Sequence, residues 1–134
     1  MRRKKEILLI HEGDTPYHEL WVLPRGYVRP NETGKQTVSR EVEEETGLKV
    51  ESTKLIGIYN DFLTENNEPV NHVISAYKVE VIGGRLIFTK EATAYKWFCL
   101  KEALSYKEVP DVFKTILQDY SKERKRRFPL TSRP

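Results

Sequence analysis

Short apolar runs set in polar surroundings organise this chain. Ile7 to Ile10 (ILLI) is one and Leu20 to Leu23 (LWVL) is another, separated by the turn-prone stretch HEGDTPYHE. Both runs predict strands. Lys54 to Tyr59 (KLIGIY), His72 to Val81 (HVISAYKVEV) and Tyr95 to Leu100 (YKWFCL) are rich in β-branched and aromatic residues and predict three more. Gly83-Gly84 predicts a turn after the longest of these, and Arg85 to Phe88 is a further candidate strand. Two stretches carry helical signals instead. Thr33 followed three positions later by Gln36 fits a capping box, which predicts a helix from about Gly34 with Gly47 as its stop. Phe113, Ile116, Leu117 and Tyr120 fall at i, i+3, i+4 and i+7 after Pro110, the pattern of an amphipathic helix that lays one stripe on the body. Strands interrupted by one helix and closed by another predict an α/β fold, a mixed sheet with helices on its faces.

Composition fits a single domain over residues 1–134. Hydrophobic residues make up 38%, including two Trp, seven Tyr and five Phe, which is enough for a globular core. The 32% of charged residues and mean hydropathy of -0.62 require that core to be compact. Cys99 is the only cysteine, so an internal disulfide is excluded. No long apolar stretch follows MRRKKEILLIHEG, so neither a signal peptide nor a membrane span is expected, and a cytoplasmic location is. The net charge of +3 gathers at the ends, in MRRKK and SKERKRRF, which read as solvated tails. The C-terminal tail is expected to be basic and flexible from about residue 121. Clustered cations attract phosphates, so Lys122 to Arg127 (KERKRR) keeps nucleic-acid binding as an alternative.

The strongest chemical signal lies inside the first expected helix. Glu41, Glu43, Glu44 and Glu45 fall within five residues beside Arg40. Positions i, i+3 and i+4 of a helix are neighbours, which gathers Glu41, Glu44 and Glu45 along one edge within an arc of roughly 100°. Glu43 points elsewhere, while Val38 and Val42 on the adjoining face would pin the helix to a core. Carboxylates this close raise one another's pKa and strain the helix unless a cation neutralises them. With no thiolate or histidine cluster beside them, the acids suit a hard divalent ion, Mg²⁺ or Mn²⁺ ahead of Zn²⁺. A merely solvated acidic helix would account for the charge but not for the residues spaced ahead of it.

Those residues carry a resemblance. Gly26, Glu32 and the run from Arg40 to Leu48 (REVEEETGL) match the Nudix box, G-x5-E-x7-R-E-U-x-E-E-x-G-U with U apolar, at every specified position. Chance agreement is on the order of one in ten million. The resemblance implies a Nudix-type α/β/α sandwich with a mixed sheet and a MutT-like hydrolase. It implies that Glu41, Glu44 and Glu45 bind divalent metal, that Arg40 holds a glutamate in place, and that Glu32 supports the loop and helix. The main-chain carbonyl before the box, here that of Arg25, is a further metal ligand in the family. This chain reads Leu-Pro-Arg-Gly where Leu-Pro-Gly-Gly is commoner. The implied reaction is hydrolysis of the pyrophosphate bond in a nucleoside diphosphate linked to a second group. Glu41 is one candidate base, and Glu91, six positions before Trp97 as in the MutT-like branch, is another.

Outside the box the sequence is quieter. The proline that follows the box in ADP-ribose hydrolases is absent, the first later proline being Pro69. The tyrosine of dinucleoside polyphosphate hydrolases is also missing, and positions 64 to 66 read Thr-Glu-Asn. Tyr17, Trp21, Tyr59, Phe62 and Trp97 can stack on a base, but strand aromatics are more often core. His11, His18 and His72 are dispersed and read as structural. MRRKKE leaves little room for the strand that usually precedes Ile7 in this family, so the expectation is either truncation or an edge completed by a partner chain, as in a homodimer. The alternatives to a small-molecule hydrolase are a nucleotide- or RNA-binding module and an RNA 5′ pyrophosphohydrolase.

Overall fold

The computed structural model describes residues 6–12, 19–87, 89 and 92–131, with side chains through residue 122. The elements in order are β1 (Glu6–Glu12), α1 (Gly34–Thr46), β2 (Leu48–Glu65), β3 (Glu68–Gly84), β4 (Ala92–Cys99), α2 (Leu100–Ser105) and α3 (Asp111–Thr131). The fold is α/β. Among the described residues the strands form two antiparallel pairs, β1 with β4 and β2 with β3.

Helix α1 begins and ends where the sequence signals place it. The Thr33 hydroxyl accepts from the Gln36 amide at 3.2 Å, and the Gln36 side chain accepts from the Thr33 amide at 2.9 Å. At the other end Gly47 adopts φ 82° and its N–H returns to the Glu43 carbonyl, a left-handed stop that other residues enter at a cost. Val42 and partly buried Val38 pack with Leu48, Val50, Leu8, Val79 and Leu86 into a small core beneath α1.

The larger core joins Leu9 and Ile10 of β1, Phe98 of β4, Ala76 of β3, Ala103 of α2, and Phe113, Ile116 and Leu117 of α3. The stripe on α3 is therefore buried as its periodicity requires, each such side chain contributing roughly 1.5–3 kcal/mol. Pro110 opens this helix, its carbonyl accepting from the amides of Phe113 and Lys114.

Four local expectations change. Leu20–Leu23 is not a strand: only Val22 pairs, bridging Ile10 through two main-chain bonds of 2.9 and 3.0 Å. Glu19 at φ 64° turns the chain just before this run, and Pro24 just after it has no N–H to extend a ladder. Gly83 and Gly84 lie inside β3 and not in a turn beyond it; Gly84 admits close passage of the end of α1, because a Cβ there would sit 2.4 Å from the Gly47 carbonyl oxygen. Residues 85–87 are outside any strand, and Phe88 is outside the described residues. Strand β4 stops at Cys99, and the good helix formers of LKEALS make α2 where a strand end was expected.

Strands β2 and β3 are longer than their apolar centres and meet in a hairpin at Asn66-Asn67. Both asparagines have positive φ, 51° and 65°, as a two-residue loop matching the strand twist demands. Side chains alternate across this hairpin. Tyr59, Leu63 and Ile74 face the core, while Ile58, Phe62 and Val73 face outward and are exposed. The basic segment expected to be a flexible tail from about 121 has a helical backbone, since α3 continues to Thr131. No described helix is long and apolar enough to cross a membrane.

Candidate active site

The loop before α1 has no ladder to hold it, and side chains of the helix do that instead. Arg40 is the hub. Its Nε and Nη2 donate to the two oxygens of Glu32 at 2.6 and 2.8 Å, the bidentate fork that suits a guanidinium to a carboxylate. Nη2 also reaches the Tyr27 carbonyl at 3.0 Å, and Nη1 donates to Glu41 and, at 3.3 Å, to Glu44. Glu32 in turn accepts from the Arg29 amide and the Thr37 hydroxyl, both at 3.0 Å. These donors, Arg40 first and the Arg29 amide next, hold the Glu32 carboxyl well below the usual carboxylate range, down to about 2.

Gly26 is pressed against this hub. A Cβ there would lie 2.0 Å from Cδ of Glu41 and 2.3 Å from its Oε1, so only a glycine lets the loop backbone run flush along that carboxylate. On the inner side Glu45 is buried at 2% exposure, and its Oε1 accepts the Arg25 amide at 3.0 Å. The Arg25 guanidinium extends to Glu12 at the end of β1, Nη2 to Oε1 at 2.9 Å. Glu12 is itself buried. Burial pushes the Glu12 carboxyl up from its ordinary value, against the pull of the Arg25 charge.

The sequence-predicted residues therefore gather, though not as one edge of three acids. Glu41 and Glu44 turn toward Arg40, and Glu45 turns inward to the Arg25 main chain. Among the described residues no three acidic, histidine or cysteine side chains converge as a group that could hold an ion. Chemically the set fits a hard divalent cation: three carboxylates on one helix and a loop main chain flush against one of them, with no sulfur or imidazole among them. Their common helix leaves side-chain torsions as the main difference from a ligating arrangement. Glu91, the other candidate base, lies outside the described residues, as do Tyr17 and His18.

A cavity of about 600 Å³ opens beside Gly26 and Glu41, its wall including Tyr27, Val38, His72, Val79 and Trp97. Its size is within the usual range for small-molecule sites. Of the aromatics, Trp21 packs edge-on to Phe98 and stacks near His11, and Tyr59 donates to Asp119 at 2.7 Å, so both are structural. Phe62 is not core but 76% exposed. His72 pairs with Glu65 at 3.0 Å. Glu12 was missed by the reading of the box. Its signal was position: Glu12 follows the apolar run Ile7–Ile10 in the same strand and is buried like Leu9 and Ile10, a carboxylate where an apolar residue belongs.

Comparison with known proteins accords with this geometry. A family profile described as NUDIX domain matches residues 1–119. The chain is 35% identical over 101 residues to an ADP-ribose pyrophosphatase of Methanocaldococcus jannaschii, covering 75% of this chain but 58% of that protein. It is 26% identical over 117 residues to the asymmetrical bis(5'-nucleosyl)-tetraphosphatase of Mus musculus, covering 86% of this chain and 78% of the other. Among solved structures, a MutT protein from Methanosarcina mazei Go1 superimposes with a TM-score of 0.69 at 27% identity, over 90% of this chain and 86% of that one. A box complete at every specified position, an arginine hub that joins its separated residues, and a profile match over most of the length together make this chain a member of the NUDIX domain family.

Proposed function

We propose that this protein hydrolyses the pyrophosphate bond of a nucleoside diphosphate linked to a second group, with Mg²⁺ or Mn²⁺ as cofactor. The observation that carries this is the Arg40 hub, which binds Glu32 with two bonds while reaching Glu41 and Glu44 and gripping the Tyr27 carbonyl. Residues far apart in the box are thus tied to one guanidinium beside a cavity that Gly26 and Glu41 line. Glu41, Glu44, Glu45 and the Arg25 carbonyl would hold the ion. Bound there, it would offset the charge of a diphosphate and lower the pKa of an attacking water.

Each side chain has its own part. Arg40 keeps the acids oriented, Glu32 keeps Arg40 in place, and Gly26 lets the loop approach Glu41. Glu41 accepts the proton of the water, with Glu91 as the competing base; Thr89, two residues before Glu91, bonds the Glu45 carbonyl at 3.1 Å. The names of the two relatives, an ADP-ribose pyrophosphatase and a bis(5'-nucleosyl)-tetraphosphatase, support a nucleoside carried on a phosphoanhydride.

The test is product release from ADP-ribose, diadenosine polyphosphates, NADH, and oxidised and normal nucleoside triphosphates, with Mg²⁺ and Mn²⁺ supplied separately. At least one is turned over, and Glu44→Gln lowers that turnover by about 10²-fold or more. If the wild type acts on none and Glu44→Gln binds and behaves like it throughout, the catalytic reading is lost.

A further inference from the structure

Position 25 carries an arginine where the commoner box leader has glycine, and this places a permanent cation at the door of an acid cluster that has to receive another cation. A guanidinium beside Glu45 would compete with a divalent ion for the same oxygens. The structure disposes of that charge in one direction. The Arg25 guanidinium reaches Glu12 through Nη2 at 2.9 Å, while its main-chain amide donates to Glu45 at 3.0 Å. Glu12 is 8% exposed at the last position of β1, and no reason of packing requires an acid there: Leu9 and Ile10 just before it are fully buried and apolar. A carboxylate in such a place is stable because it is paired.

We infer that Glu12 is a positioning residue for the metal site: it neutralises and anchors the Arg25 guanidinium, so that Arg25 presents its main chain and not its charge to Glu45. This rests on the proposed metal-dependent reading, and it concerns Glu12 and Arg25 as a matched pair. Glu12 itself ligates nothing in this account. Loss of its charge alone would free the guanidinium to turn onto Glu45, whose carboxylate already accepts the Arg25 amide, and a divalent ion would then bind against it.

The experiment is Mn²⁺ binding by calorimetry and electron spin resonance on the full chain, with no substrate present, for wild type, Glu12→Gln, Arg25→Gly and the double variant. Glu12→Gln is expected to bind Mn²⁺ at least about tenfold more weakly than wild type. The double variant returns to within about threefold of wild type, because the cation that needed neutralising is gone. Arg25→Gly removes the charge but keeps the main-chain amide and carbonyl at position 25, and is expected to bind as tightly as wild type or more so. Two outcomes overturn the inference: Glu12→Gln binding like wild type, or the double variant staying as weak as Glu12→Gln, which would give Glu12 a purely structural role. Should Glu12→Gln fail to fold, Arg25→Gly decides, and a tenfold loss of Mn²⁺ affinity in it overturns the pair. A wild type that binds no Mn²⁺ and hydrolyses nothing removes the functional reading and this inference together. A wild type that hydrolyses normally while the pair shows no coupling removes the inference alone.

Discussion

The loop leading into α1 and the β2–β3 hairpin are shaped by opposite means. The hairpin is specified by its backbone: sixteen paired positions run from Leu48 with Gly84 to Glu65 with Glu68, and the outward side chains matter little to it. Ile58, Phe62 and Val73 stand exposed there without disturbing the ladder. The loop from Gly26 to Thr33 has no ladder, and its shape is specified by side chains, chiefly the five contacts of Arg40 and the acceptors of Glu32. A region held by a repeated backbone pattern tolerates substitution. One held by a few charge-assisted bonds does not, and the charged groups it orders are then available for chemistry.

The contrast is most directly broken at Gly26. Gly26→Ala should cost about 10²-fold in kcat/KM, because the new methyl displaces the Glu41 carboxylate by ångströms while leaving every core contact in place. Steady-state kinetics beside a thermal unfolding curve measure both quantities, and a variant of normal activity would mean that Glu41 is free to move. Next comes Arg40→Lys, which keeps the charge but loses the fork onto Glu32. Turnover is expected to fall by roughly 10–100-fold, read in the same assay.

Smaller effects sharpen the boundary between the two regions. Gly47→Ala forces a left-handed conformation on a residue whose Cβ would also lie 2.4 Å from the Arg85 carbonyl oxygen, and should destabilise the fold by at least about 1–2 kcal/mol in urea denaturation. Acid should loosen the loop selectively. The folded-state pKa of Glu32 is lowered from 4.5 to about 2, so its stabilising contribution is complete above 4.5 and is lost as pH falls through about 2. Glu32→Gln should flatten that part of the stability-versus-pH curve. Smallest of all is Phe62→Ser on the outward hairpin face, expected within about 0.5 kcal/mol of wild type and without effect on turnover.

Legibility in the sequence followed the range of the interactions. The limits of α1 were readable because capping bonds join residues three or four apart, and the stripe on α3 because helical period is local. The hairpin centres were readable, but their extent was not: polar residues such as Asn60, Asp61 and Asn71 join the ladder because their neighbours pair across it, not because of any propensity of their own. The run at Leu20–Leu23 misled because apolar content marks burial as readily as it marks strand, and Val22 is buried with a single bridge.

The amino-acid order alone determined which residues are candidates for the chemistry: the box from Gly26 to Leu48, its acids and its arginine, all set by identity and spacing along one helix and the loop before it. Tertiary structure decided which way those acids turn. Glu45 faces inward and Glu41 and Glu44 face Arg40 because the loop folds back upon the helix, and Glu12 joins them only because β1 ends beside Arg25. Charges interact through space and not along the chain, so the partner of a buried carboxylate is known only once the chain has folded around it.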